Sequence, residues 1–463
     1  MSMSATETAS SKPDSLAVKS WILFDWAGQP FYTLVATFLF APYFVEHFIG
    51  DQVKGQAYWL YASGCAGLII AFLSPVLGSI SDATGRRKPW ILLFVAIQTV
   101  AMCMLWYAKP GDMSAFWIVI LGFVIATVCA EFVIVFTNSM MPDLVHKDDM
   151  GKLSGTAYAV GYLGGVVALV IMSGFIIAAN IETGKTVLGL DPIINLDASQ
   201  REGDRFSGPF SAIWLVVFSL PFFLFTPDGK GKKVALGKAI SSGLSELSST
   251  FHSLRNYRNI MVFLIARLLY VDGLAAILYV GAIYASSLFS WGTLEQGLFG
   301  IFLAVTGTLG AFLGGRFDDI IGPKKVIMLG LIGLLVATIG IISVDKTHIL
   351  FVIEVAEKTK GSAPFSSVAE QVYLGFAFLI GIVFGPIYSS SRTLMARLAP
   401  EDKRTEFFGF FAFSGKVTSF MAPVLIAFIT EFSQSQRIGI ATTIVFITAG
   451  FILMMMVRQE QKS

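Results

Sequence analysis

The sequence predicts an all-α membrane protein: twelve transmembrane helices in two pseudo-symmetric six-helix bundles. Three observations predict it. Apolar residues make up 55% of the 463-residue chain and charged residues 14%, against roughly a quarter charged in soluble domains, and the mean hydropathy is +0.72. Apolar runs of spanning length recur from one end to the other. Between two of them lies Gly78-Ser-Ile-Ser-Asp82-Ala-Thr-Gly85-Arg86-Arg87-Lys88, which returns 237 residues later (319 minus 82) as Gly315-Arg-Phe-Asp-Asp319-Ile-Ile-Gly322-Pro-Lys324-Lys325. Glycine, acid, glycine and a basic pair keep one register, so the chain reads as two related halves.

Each element follows in order. Residues 1–19 are polar and rich in Ser and Thr, a cytoplasmic tail rather than the cationic start of a signal peptide. About 20 apolar residues cross a bilayer core, and on that measure helix 1 covers 20–48, interrupted at Pro30, helix 2 covers 57–79 and helix 3 covers 90–108. Helices 4, 5 and 6 follow at 116–140, 153–179 and 210–225, completing an N-terminal bundle over 20–226. Residues 181–207, with Asp191, Asp197, Arg201, Glu202, Asp204 and Arg205, are too polar to span and read as an exposed external loop. The linker, 227–258, carries Leu236, Ile240, Leu244, Leu247, Phe251 and Leu254 at helical spacing, one face of an amphipathic helix lying on the membrane surface. The C-terminal bundle, 259–457, contains helices at 260–289, 298–315, 326–344, 372–390, 407–429 and 438–457, and 458–463 form a second tail.

Cations orient the chain. The tails and the even-to-odd loops hold 22 of the 33 Lys and Arg, and the opposite loops nine. Both termini are therefore expected in the cytoplasm. A net charge of +2 gives no sign of nucleic-acid binding. Cys65, Cys103 and Cys129 all sit in apolar runs, and the four His are scattered, so neither a metal site nor a cofactor is expected.

Five ionisable residues fall inside the expected spans: Asp25, Glu131, Arg267, Asp272 and Lys416. Each costs several kcal/mol against lipid and should face a partner or water. They are the candidates for substrate or proton binding, with Trp26, Gln29, Tyr32 and Tyr270 beside them. A buried carboxylate can exchange a proton when its cavity opens and hold it less readily when a cation approaches. Lys416 also suits a substrate carboxylate or phosphate. The same three acids and two bases could equally form static ion pairs, and the sequence leaves both roles open. In the repeated turn, Gly78 permits close helix approach, Gly85 a left-handed turn, and Asp82 hydrogen bonds from a helix N-terminus or a cation. Asp82, Arg86, Arg87, Asp319 and Lys324 are expected to form a cytoplasmic gate.

The repeated turn resembles the loop between helices 2 and 3 of the major facilitator superfamily, which implies the twelve-helix fold. Further runs, Ser20-Trp-Ile-Leu-Phe-Asp25-Trp26-Ala, Asn138-Ser-Met-Met-Pro142-Asp143, Gly161-Tyr-Leu-Gly-Gly165, Tyr270-Val-Asp272-Gly273, Ser391-Arg392 through Arg397-Leu-Ala-Pro400 and Glu406-Phe-Phe-Gly409, resemble one branch: bacterial permeases related to fungal vacuolar, autophagy-linked amino-acid effluxers. The resemblance implies secondary transport of a small solute, an amino acid or related metabolite, and the buried acids add the expectation of proton coupling. Helix 4 lacks the Arg and Gln run of proton-coupled drug exporters, helix 5 their Gly-Pro signature, and helix 1 the paired glutamates of peptide symporters. The expectation is a monomeric, non-enzymatic transporter in a bacterial cytoplasmic membrane, working by alternating access. A lipid or amphiphile flippase and a non-transporting membrane sensor are the alternatives.

Overall fold

In the computed structural model, the described residues are 15–178, 184–229, 254–289, 291, 293–359, 362–415 and 421–458, with scattered positions from 237 to 249. The tail over 1–14, Lys416, the closing 459–463 and most of the amphipathic linker segment lie outside them. The chain is helix after helix. α1 (Ser15–Ile49) begins inside the expected tail and does not break at Pro30. It continues through π-turns at Phe31–Phe38 and Phe44–Ile49, and the Trp26 carbonyl that Pro30 leaves without its helical donor accepts the Trp214 indole N–H (3.1 Å).

α2 (Gln52–Thr84), α3 (Lys88–Met104), α4 (Phe116–Leu144), α5 (Met150–Ile171) and α6 (Glu202–Phe225) complete the first bundle. α7 (Arg258–Phe289), α8 (Thr293–Ile321), α9 (Pro323–Ile342) and α10 (Val368–Leu398) open the second. α11 (Arg404–Ser414) and α12 (Met421–Ser433) lie on either side of residues 416–420 and share the place of expected helix 11, and α13 (Gln436–Met456) ends the bundle. Eleven helical segments among the described residues are long and apolar enough to cross a membrane. A two-residue antiparallel hairpin, His348–Ile349 with Ile353–Glu354, decorates the α9–α10 connection.

Several boundaries correct the sequence reading: α2 and α8 run on to Thr84 and Ile321, so Asp82 and Asp319 stand in last helical turns rather than in loops. α6 starts at Glu202, so the last turn and a half of the expected polar loop is helical, and Arg205 is buried with its guanidinium on the Trp106 carbonyl at 2.8 and 2.6 Å. α10 runs on to Leu398 because Leu394, Met395 and Ala396 remain buried. That extension carries Arg392 inside the bundle.

One end of the molecule gathers both ends of the chain. Ser20 and Thr226 share a hydroxyl hydrogen bond (2.8 Å), Lys88 Nζ donates to the Phe223 carbonyl (3.0 Å), and Lys324 Nζ donates to the carbonyls of Met455 and Val457 (2.9 and 2.6 Å). We call this the tail end. Here the two bundles pack backbone against backbone. A Cβ on Gly155 would stand 2.6 Å from the Ala311 carbonyl and from Gly315 Cα, and one on Gly409 would stand 2.5 Å from the Ser74 carbonyl. Only glycine allows either approach.

Candidate functional site

The repeated turn closes the tail end twice over, by the same device. Gly85 and Gly322 take positive φ (70° and 87°), which turns the chain sharply after each acid. In the first half Asp82 accepts the Glu406 backbone N–H (2.9 Å) at the start of α11. In the second, Asp319 accepts those of Gly151 and Lys152 (3.0 and 2.9 Å) at the start of α5. Each acid thus sits on an N-terminus of the opposite bundle, where unsatisfied N–H groups and the helix dipole favour negative charge. Arg87 ties the first latch together: its side chain reaches Asp82 (3.7 Å), Asp143 (3.1 Å) and the Thr405 hydroxyl (3.1 Å). Asp143 also receives Arg404 of the other bundle.

Deeper between the bundles, Arg392 of α10 points wholly into the first bundle. Nη1 donates to Asp25 Oδ2 (3.1 Å) and Asn138 Oδ1 (3.3 Å), Nε to Ser154 Oγ (2.8 Å), and Nη2 to the Ser154 carbonyl (2.6 Å). Trp21 and Tyr158 rings flank it at 5.4 and 5.8 Å. Ser154 in turn donates to the Ser389 carbonyl (2.9 Å). One cation therefore satisfies acceptors on α1, α4 and α5, while Asp25 keeps 23% of its side chain exposed. Further from the tail end, Tyr158 stacks on Tyr388 across the bundles (6.1 Å) and Tyr162 meets Phe384 (6.3 Å). The Tyr32 hydroxyl points at Glu131 (3.5 Å), and Glu131, Arg267 and Asp272 all lie within electrostatic reach of Tyr388.

The profile of the family described as "Vacuole effluxer Atg22 like" matches residues 44–463. The chain belongs to that family. A relative along nearly the whole Atg22-like chain is the uncharacterized MFS-type transporter YxiO of Bacillus subtilis, 24% identical over 95% of this chain and 94% of its own. Autophagy-related protein 22-1 of Aspergillus fumigatus is 23% identical over 67% of this chain. The match spans about half of that fungal protein, 48%. Among solved structures, the human organic anion transporter MFSD10 superposes with a TM-score of 0.68 at 12% identity, covering 96% of this chain and all of that one. FucP in its outward conformation gives 0.67 at 15%, covering 96% and 98%. The Atg22-like chain is thus an integral membrane protein with the transporter fold of the major facilitator superfamily, and its relatives are transporters rather than enzymes.

In this Atg22-like protein the expected site residues divide. Asp25, Tyr32, Glu131 and Asp272 gather near the interface between the bundles. Trp26 turns instead toward α6, stacked on Trp214 (5.6 Å), with Gly164 beneath it. Gln29 packs on Gly165 of α5. Tyr270 is fully buried within the second bundle, sharing a hydrogen bond with Ser391 (2.7 Å). Arg267 faces protein partners rather than water. It is buried, donates to the Phe411 carbonyl (2.6 Å) and Ser414 Oγ (2.9 Å), and lies 3.5 Å from the Phe411 ring centre. Of the expected gate, Lys324 binds carbonyls in its own half, and Arg86 offers its carbonyl to Ser81 and Thr84 (3.5 Å each). Arg392 escaped the candidate set because the expected helix 10 stopped at Ser390. The apolar run Leu394-Met395-Ala396 beyond it was the signal.

Proposed function

We propose that the chain is a secondary transporter of a small polar solute bearing a carboxylate, an amino acid or related metabolite, working by alternating access in a bacterial cytoplasmic membrane with its tail end toward the cytoplasm. The observation that carries this reading is Arg392, which belongs to one bundle and satisfies its donors in the other. A residue so placed joins the bundles only while they are closed at the tail end. Alternating access requires that bond to break in every cycle.

Two events can break it. A substrate carboxylate entering beside Asp25 offers Arg392 a replacement acceptor, and a proton on Asp25 removes the charge that holds the pair. Either converts an event in the cleft into release of the tail end, since a ligand shifts an equilibrium by its differential affinity for the two states. Glu131 and Asp272, near the same aromatic layer, are the further acids through which a proton passes. The deciding experiment uses the purified chain in sealed vesicles, amino acids and other small metabolites as labelled solutes, and an internal pH reporter. Saturable flux accompanied by acidification supports the reading, flux without proton movement removes the coupling ion, and no flux of any solute removes the transport reading. Asp272→Asn should abolish acid-driven uptake while leaving the melting temperature within a few degrees of the parent, and unchanged proton-coupled flux removes Asp272 from the path.

A further inference from the structure

The α4–α5 connection and the α10–α11 connection have equal length, so Ser139–Gly155 overlays Thr393–Gly409 with an offset of 254 (409 minus 155). The packing roles match: Gly155 and Gly409 both meet the backbone of the opposite bundle, as Gly151 and Thr405 do. The charges do not. Asp143 stands opposite Arg397, and Met150 opposite Arg404.

The first half therefore has an acid that receives both Arg87 and Arg404. The second half has a third arginine in that acid's place. Arg397 reaches Asp319 at 3.7 Å, beyond hydrogen-bond distance. Among the described residues, Nε and Nη2 of Arg397 and Nε of Arg404 are buried without a hydrogen-bond acceptor. Both side chains line a cavity of about 300 Å³ between the bundles, together with His146, Lys147 and a single carboxylate, Glu401. The rest of its wall is aliphatic, with Pro142, Val145 and Met150 on one side.

We propose that this cavity is a binding site for a phosphate monoester, distinct from the Arg392–Asp25 cluster. Guanidinium forks suit tetrahedral oxyanions and supply the donors that now lack acceptors. The aliphatic wall takes the carbon part of the ester. Because the walls come from both bundles, the ligand binds only when the tail end is closed and so holds that state. Phosphorylated metabolites and anionic lipid headgroups share this chemistry.

The test measures binding, not transport, so its failure leaves the proposed function standing. The full chain in detergent is melted in increasing inorganic phosphate, and in chloride at equal ionic strength. In parallel it is melted in bilayer discs of phosphatidylcholine with and without phosphatidic acid. The expected result is a saturable rise in melting temperature with phosphate but not chloride, with Arg397→Gln raising the half-effect concentration at least tenfold. Lys147→Gln, outside both latches, should raise it in the same direction, so the conclusion does not hang on one variant's folding. Protection by phosphatidic acid alone names the lipid headgroup as the source. Equal shifts with chloride, an unaltered response in both variants, or no shift with either phosphate source overturns the site.

Discussion

On the proposed transport reading, Arg392 is the side chain that couples a binding event to a movement. Its four donor contacts spread over Asp25, Asn138 and Ser154, and hydrogen bonds to charged groups contribute about 1.5–3 kcal/mol each when lost without replacement. With Asp25 part-exposed, the net loss on removing the guanidinium is smaller than that sum. Taking about 2 kcal/mol, Arg392→Gln should open the tail end about thirtyfold more often. A cysteine at Ser389, buried when the end is closed, reports this by its alkylation rate in a background lacking Cys65, Cys103 and Cys129. Lysine at position 392 keeps the charge but not the fork, so Arg392→Lys should fall between parent and Gln. Equal reactivity in all three proteins would show that Arg392 packs the interface without controlling it.

At the scale of elements, composition made most of the fold legible and the charged margins hid the rest. Long apolar runs located each span, with ends misplaced by as much as eight residues, because lipid leaves a backbone few options but helix. The failures fell where polar residues continue a helix beyond its apolar run. Glu202 to Arg205 belong to α6 because the Trp106 carbonyl takes the buried guanidinium, and Arg392 belongs to α10 because the opposite bundle supplies its acceptors. Neither partner can be read from neighbouring sequence. Close packing of α5 on another helix, by contrast, was legible in Gly161-Tyr-Leu-Gly-Gly165, though its partner α1 was not: a Cβ on Gly164 would lie 2.9 Å from Trp26. The same steric logic predicts that Gly155→Ala, whose methyl meets the α8 backbone at 2.6 Å, costs about 1–3 kcal/mol of contact between α5 and α8. Hydrogen exchange at the Gly151 and Lys152 amides, which Asp319 protects in the closed end, should quicken accordingly. Gly67→Ala, with open space around its position, should leave those amides unchanged, and matched rates in the two variants would count against the close approach as a determinant.

For the molecule as a whole, the internal duplication makes the two latches one device used twice. The repeated turn was readable in the sequence as a pair of acids in register, and so was the kind of partner, a helix N-terminus. Which helix, and that it belongs to the opposite bundle, required the fold. On the alternating-access reading, that crossing makes Asp82 and Asp319 report on a single rigid-body equilibrium while lying on different helices with different partners. A carboxylate on a partly buried helix N-terminus contributes roughly 1 kcal/mol, so Asp82→Asn and Asp319→Asn should each open the tail end about fivefold. Separate sites add in free energy, and the double variant should open it about twenty-five-fold. Pulsed electron resonance between labels at Leu224 and Ile320, both exposed and on different bundles, resolves the closed and open populations. A double variant no more open than the larger single would mean that one acid caps its helix without bearing on the motion. The duplicated turn would then be a relic of ancestry in that half and a gate only in the other.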